Sequence, residues 1–262
     1  MVTGAPTELD KAFLEKHPVV LRGVTKRFDM KVVLDGVSLA VREGEVMTLA
    51  GASGQGKTVL LKQIMGLMQP DSGEIYVLGH DATRLTEQAR QDLLGGKVAM
   101  VFQGSALFDS LDVGENVAYG LRERNPDLPE EEVRRIVREK LALVDLPGIE
   151  DMMPAELSGG MKKRVAIARA LALEPRIILY DEPTTGLDPA NVRRINALVL
   201  KLRDTMNVTS IIVTHDMASV RATADRIALL DRGRIIALGT WDEMEQSDEP
   251  RVRQFLAGDF EA

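Results

Sequence analysis

Cysteine is absent from the 262 residues, which excludes a disulfide framework and any thiolate metal site and fits a reducing cytoplasm. Long apolar runs are absent too. The longest uninterrupted one covers only Val98 to Phe102, whereas a membrane-spanning helix needs roughly 20 mostly apolar residues. If the protein works at a membrane, another chain must supply the membrane part. The opening "MVTGAPTELDKAFLEKHP" is too charged for a signal peptide and lacks its apolar centre. Positive charge is also in short supply. With 33 Lys and Arg against 40 Asp and Glu, the net charge is −7. That argues against nucleic acid as a partner, since such proteins leave a basic footprint.

The length suffices for one large domain or two small ones with a buried core. Residues 1–18 read as a loose or weakly helical leader. Short strands are expected at "VVLRGV" and "VVLDGVSLAV", with a loop "TKRFDMK" between them. "EVMTLA" is a compact strand that runs into a glycine loop and a helix, "KTVLLKQIMGLM", closed by Pro70. "GEIYVLG" and "KVAMVF" read as further strands. From about 105 to 174 the pattern turns helical. "PEEEVRRIVREKLALVDL" places acids first and bases after, as a helix dipole prefers. "RIILY", "TSIIVTH" and "RIALL" then alternate with helical segments, which implies parallel βαβ units covered on both faces. The reading is an α/β core interrupted by a helical insertion, with no internal repeat.

The motif "GASGQGKT" comprises Gly51, Ala52, Ser53, Gly54, Gln55, Gly56, Lys57 and Thr58, followed by Val59. It fits the phosphate-loop pattern, in which glycines let the backbone wrap phosphates, the lysine reaches the β/γ-phosphates, and the hydroxyl ligates Mg²⁺. A strand before and a helix after supply the required context, against the alternative of a glycine-rich turn beside a surface lysine. "RIILYDEPTTGLDP" sets Asp181 and Glu182 at the carboxyl end of a strand, the edge where ligands gather in open α/β sheets. Asp181 suits magnesium, usually through water, and Glu182 can orient or deprotonate an attacking water. His215 should emerge at the same edge, where it can bond a γ-phosphate. Gln103, after another strand, can reach a metal or a water. "LSGGMKKRVAIARAL" presents a second helix N-terminus suited to an anion, at Ser158, Gly159 and Gly160.

The phosphate loop, Gln103, "LSGGM", "ILYDEP", "GLD" and "THD" stand in the order and spacing of ABC-transporter ATPases, and the resemblance runs from about 19 to 245. It implies a P-loop NTPase (RecA-like) core over 19–104 and 175–246, with an antiparallel β subdomain. It also implies an inserted α-helical subdomain over 105–174 carrying the signature motif, and a tail over 247–262. By resemblance, Gly51 to Thr58 are the Walker A loop, Asp181 the Walker B aspartate, Glu182 the catalytic glutamate and Gln103 the Q-loop residue. Asp188 is the D-loop aspartate, His215 the switch histidine, and Phe28 the ring that stacks on adenine, where tyrosine is commoner. Met161 replaces the usual glutamine of the signature. In this family the signature faces ATP held by the other protomer, so a homodimer around two Mg-bound ATP molecules is implied.

"VFQGSALFDSLDVGENVAYGLRE", "PAELSGGMKKRVAIARAL" and "PRVRQFLAG" further resemble the ATPases of Mla/Mce-type lipid-transport systems. That resemblance implies an integral-membrane permease, an Mce-type lipid-binding protein and a small STAS-domain protein as partners, at the cytoplasmic face of the inner membrane. Leu107, Phe108 and Leu111 either meet the permease or pack inside the helical insertion. Val252, Phe255, Leu256 and Phe260 form roughly one apolar face that could dock on its own domain, on a second protomer or on a small regulatory partner, and the expectation is that it serves dimer or partner contacts. Two alternatives stand beside the lipid reading: an importer ATPase for amino acids or another polar solute, and a soluble ABC ATPase of iron–sulfur assembly.

Overall fold

The structure is a computed structural model describing residues 10–258. Asp10 caps α1 (Lys11–Lys16) by accepting the Phe13 amide at 2.6 Å, so the end of the leader is helical. Residues 1–9 lie outside the described residues. β1 (Val19–Phe28) and β2 (Lys31–Val41) pair antiparallel with Phe28 opposite Lys31. The spacing predicts a loop over 25–31, but the strands run through it and leave only Asp29 and Met30 as the turn. Asp29 takes a positive φ of 51°, as tight hairpins require. Asp71 steadies the polar end of β1 by accepting Lys26 Nζ and the Arg27 amide, each at 2.7 Å.

The wholly buried β3 (Val46–Ala50) leads into α2 (Lys57–Met65). Gly66, left-handed at φ 80°, ends α2 ahead of Pro70 by returning its amide to the Gln63 carbonyl at 3.0 Å. This is a glycine C-cap. β4 (Ser72–Val77) and β5 (His80–Asp81) complete an antiparallel sheet ordered β2-β1-β4-β5. α3 (Glu87–Leu94) was not signalled by the sequence, because only Leu94 in it is buried. β6 (Val98–Val101) precedes the helical insertion of α4 (Val113–Arg124), α5 (Glu130–Leu143) and α6 (Gly159–Leu171). An Asp112–Glu115 capping box starts α4, and three glutamates occupy the first turn of α5.

β7 (Ile177–Asp181), α7 (Pro189–Met206), β8 (Thr209–Val213), α8 (Met217–Thr223), β9 (Arg226–Asp231) and β10 (Arg234–Gly239) follow. They form a second sheet ordered β10-β9-β3-β8-β7-β6, parallel except for the edge strand β10. Alternate side chains enter different cores. Ile177 and Leu179 pack with the antiparallel sheet and α2, while Ile178 and Tyr180 pack with α6 and α7. Both faces are covered, which is why the strands read as unbroken apolar runs. Parallelism also brings the carboxyl ends of β3, β6, β7 and β8 to one edge.

After α9 (Trp241–Glu245), α10 (Pro250–Leu256) packs onto its own domain. Val252 and Phe255 are buried with Ala50, Val220 and Leu229, and Arg251 pairs with Asp231 at 2.9 Å. The expected use of this apolar face in dimer or partner contacts is therefore corrected for these two residues, since the chain's own core consumes them. Phe260 lies outside the described residues.

Candidate functional site

A cavity of about 640 Å³ opens at the carboxyl edge of the parallel strands. Gly51, Ala52, Ser53, Gly54, Gly56, Lys57, Thr58 and Val59 form its floor, and Gln103, Glu182 and His215 line it from three other loops. Two glycines make the loop possible. At Gly51, φ is 146° and a Cβ would stand 2.2 Å from the Leu230 carbonyl oxygen. At Gly56, φ is 97° and a Cβ would stand 2.9 Å from Val33 and Leu34. No side chain caps the N-terminus of α2 at Gly56, so its first amides present partial positive charge to the cavity.

Lys57 is 6% exposed and donates to the Gly51 and Ala52 carbonyls at 2.7 Å each. Burial lowers its pKa, while the carboxylates of Glu182 and Asp181 oppose that shift. Thr58 Oγ1 donates to Asp181 Oδ1 at 2.8 Å, joining the first turn of α2 to the end of β7. This hydroxyl–carboxylate pair is the donor set that Mg²⁺ takes beside phosphate oxygens, because that ion keeps waters rather than demanding an all-protein cage. Among the described residues no group of three or more His, Cys, Asp or Glu is placed to hold a metal.

Glu182 stands in left-handed backbone at φ 50°, its amide donating to the Val213 carbonyl at 2.9 Å. Its Oε1 lies 2.9 Å from His215 Nδ1, and its Oε2 accepts Thr185 Oγ1 at 3.1 Å. The carboxylate is thus aimed across the cavity mouth rather than back along β7, where Asp181 is held.

Several predicted residues are not among those lining this cavity. Gln55 turns away, its Oε1 accepting the Arg232 amide at 2.6 Å. Phe28 is exposed on the β1–β2 hairpin, whose Val33 does line the cavity. Asp188 caps α7 by accepting the Ala190 and Asn191 amides at 2.9 and 3.1 Å; Asn191, through backbone and side chain, holds its carboxyl below the usual range. Ser158 caps α6 by accepting the Met161 amide at 3.3 Å, and Ser158 and Gly159 are exposed. Gly160 is buried against α7, where a Cβ would meet the Asn191 side chain at 2.6 Å. Met161 is half-buried and packs against the apolar cluster that joins the insertion to the parallel sheet and α7.

The Leu107–Leu111 alternatives divide. Leu107 packs on the main cluster, whereas Phe108 is exposed and its ring lies 4.7 Å from that of Tyr119. Four contributors were missed from sequence. Lys163 and Arg169 lie inside the quoted signature helix, where cations at helical spacing read as solvated; only the fold buries Lys163 and half-buries Arg169 against the Gln103 loop. Phe255 and Gly258 line the cavity from the tail, and no motif signals that.

Comparison with known proteins agrees with this geometry. Residues 34–185 match the family described as ABC transporter. A ferric-ion import ATP-binding protein of Pectobacterium atrosepticum is 40% identical over 94% of this chain and 67% of its own length. The intermembrane phospholipid transport system ATP-binding protein of Haemophilus influenzae is 39% identical over 94% of this chain and 92% of its own length. Among solved structures, the dimeric ATP-binding cassette MJ0796, in a post-hydrolysis state bound to ADP and Pi, superposes with a TM-score of 0.78 at 34% identity. That match covers 85% of this chain and 98% of the other. With a glycine-rich loop, paired carboxylates and a histidine converging on one sheet edge, this chain belongs to the ABC transporter family as one of its ATP-hydrolysing ATP-binding subunits.

Proposed function

We propose that the chain works as a homodimer in which each Mg-bound ATP lies between the Gly51–Thr58 cradle of one protomer and the Ser158–Gly160 terminus of the other. Hydrolysis then drives a separate integral-membrane permease that moves phospholipid between inner and outer membranes, with this subunit on the cytoplasmic face. The observation that carries the catalytic half is the convergence of the cradle, Gln103, Glu182 and His215 on one cavity. Lys57 meets the β/γ-phosphates, Glu182 takes a proton from the attacking water, and His215 bonds the γ-phosphate. Thr58, Asp181 and Gln103 would hold Mg²⁺, which would offset negative charge on the phosphate. Phe28 supplies the ring for adenine, and Asp188 faces the dimer seam.

The exposed, outward position of Ser158 and Gly159 supports a second protomer as their partner. An isolated helix N-terminus contributes only about 0.3–1 kcal/mol toward an anion, too little to hold a nucleotide unaided. Ser158→Arg tests this: hydrolysis should fail while ATP binding at Lys57 persists, and normal turnover would contradict the sandwich.

The phospholipid cargo is supported by the match along 92% of the Haemophilus phospholipid-transport relative and by the "GSALFDSLDVGENVA" segment. An Mce-type lipid-binding protein and a small STAS-domain protein complete that assembly. A second reading, an importer ATPase for iron or another polar solute, rests on the equal identity of the ferric-ion relatives. Purification from membranes through a tag on this chain, with identification of partners and bound lipids, separates the two. Phospholipid enriched with a polytopic permease supports the first; a solute receptor without lipid supports the second.

A further inference from the structure

Lys163 lies on α6, between the exposed Ser158 terminus and the Gln103 loop, and is 5% exposed. Its Nζ donates to the Gln103 carbonyl and, at 3.5 Å, to the Glu182 carbonyl. These carbonyls belong to loops that leave two different strands, and the side chains of both residues line the cavity. A buried ammonium is held only where acceptors replace its lost water, and these two carbonyls are the acceptors. Burial lowers the Lys163 pKa, and the nearby carboxylates of Asp181 and Glu182 counter it.

The bond to Glu182 falls where backbone support is needed. At φ 50°, Glu182 occupies a conformation that side-chain-bearing residues keep only when their surroundings enforce it. Val213 holds its amide from β8, and Lys163 holds its carbonyl from α6. The next turn of the Gln103 loop is gripped by the same helix. Arg169 donates to the Ser105 and Ala106 carbonyls at 3.0 and 2.7 Å, and both residues have positive φ.

We propose that Lys163 is a positioning residue for ATP hydrolysis, tying the main chains of Gln103 and Glu182 to the helix that begins at Ser158. The inference rests on the roles given above to Gln103 and Glu182. It means that the helix receiving the partner's nucleotide also sets the hydrolytic side chains of its own cavity. A displacement of α6 or of the Gln103 loop then reaches Glu182 through this one ammonium.

The test uses the purified full chain and measures steady-state ATP hydrolysis beside affinity for a fluorescent ATP analogue. Lys163→Met removes donor and charge at similar length. It should lower kcat by roughly ten- to a hundred-fold, the range seen when groups that orient reactive ligands are removed. Affinity should stay within about two-fold, marking a loss confined to the chemical step. Lys163→Gln keeps an N–H donor and should recover part of the rate. Parental kcat in Lys163→Met, or equal losses of kcat and affinity, overturns the proposal. If Lys163→Met does not fold, Lys163→Gln is judged against Lys163→Arg by the same criteria. Glu182→Gln is measured in parallel. If it hydrolyses ATP at the parental rate, the Glu182 reading falls and the proposal with it. If it is inactive while Lys163→Met is active, the proposal alone falls.

Discussion

The N-termini of α2 and α6 begin with the same chemistry and end as different devices. Both open on glycine-rich sequence, at helix N-termini whose first amides lack intrahelical partners. At α2 no side chain caps the helix, Gly51 and Gly56 wrap the loop, and the buried Lys57 supplies charge. The result is an enclosed cradle beside Asp181, Glu182 and His215. At α6, Ser158 accepts an amide of its own helix, and Ser158 and Gly159 remain open to solvent. The cations behind it, Lys163 and Arg169, face inward to other loops. A helix terminus becomes a complete site only when surrounding loops enclose it.

The sharpest way to probe that contrast is Glu182→Gln. It should slow turnover by roughly 10²–10⁴-fold, the usual worth of a general base, while ATP still binds. If the open terminus belongs to a partner's nucleotide, the variant should accumulate as an ATP-dependent dimer by native mass spectrometry. Next comes Phe255→Ala, at the tail residue that lines the cavity near α2. Loss of a buried ring should cost about 3–5 kcal/mol of stability in chemical denaturation. Gly51→Ala attacks the enclosed terminus directly. Its Cβ would meet the Leu230 carbonyl, and backbone strain of roughly 1–3 kcal/mol corresponds to about five- to 140-fold weaker nucleotide binding by titration. The smallest effect is expected from Ser158→Ala at the open terminus. Losing a cap costs about 1 kcal/mol, or roughly 2–4 °C in thermal unfolding for a chain of this size.

Much of the candidate site was legible because the relevant signals are local. Gly51 to Thr58 form one contiguous loop, and Asp181, Glu182 and His215 follow apolar strands whose parallel pairing carries them to the same place. Boundaries failed where tertiary contacts override local preference. Lys26 and Arg27 look like loop residues, yet Asp71 holds them in β1. Glycine at position 66 ended α2 before the proline did. The apolar face of the tail was visible, but its partner was not, since Ala50, Val220 and Leu229 come from distant parts of the chain.

Sequence alone determined the parallel α/β core, the nucleotide chemistry and the presence of two glycine-rich helix termini. Each depends on residues within a few positions of one another, where backbone geometry and periodicity dominate. Tertiary structure decided which terminus is enclosed, that Met161 packs inward, and that the tail closes on its own domain. It also decided that Lys163 is buried between two loops rather than solvated on a helix face. Burial of a cation or an apolar face depends on what distant segments bring to it, and that is set only when the chain has closed.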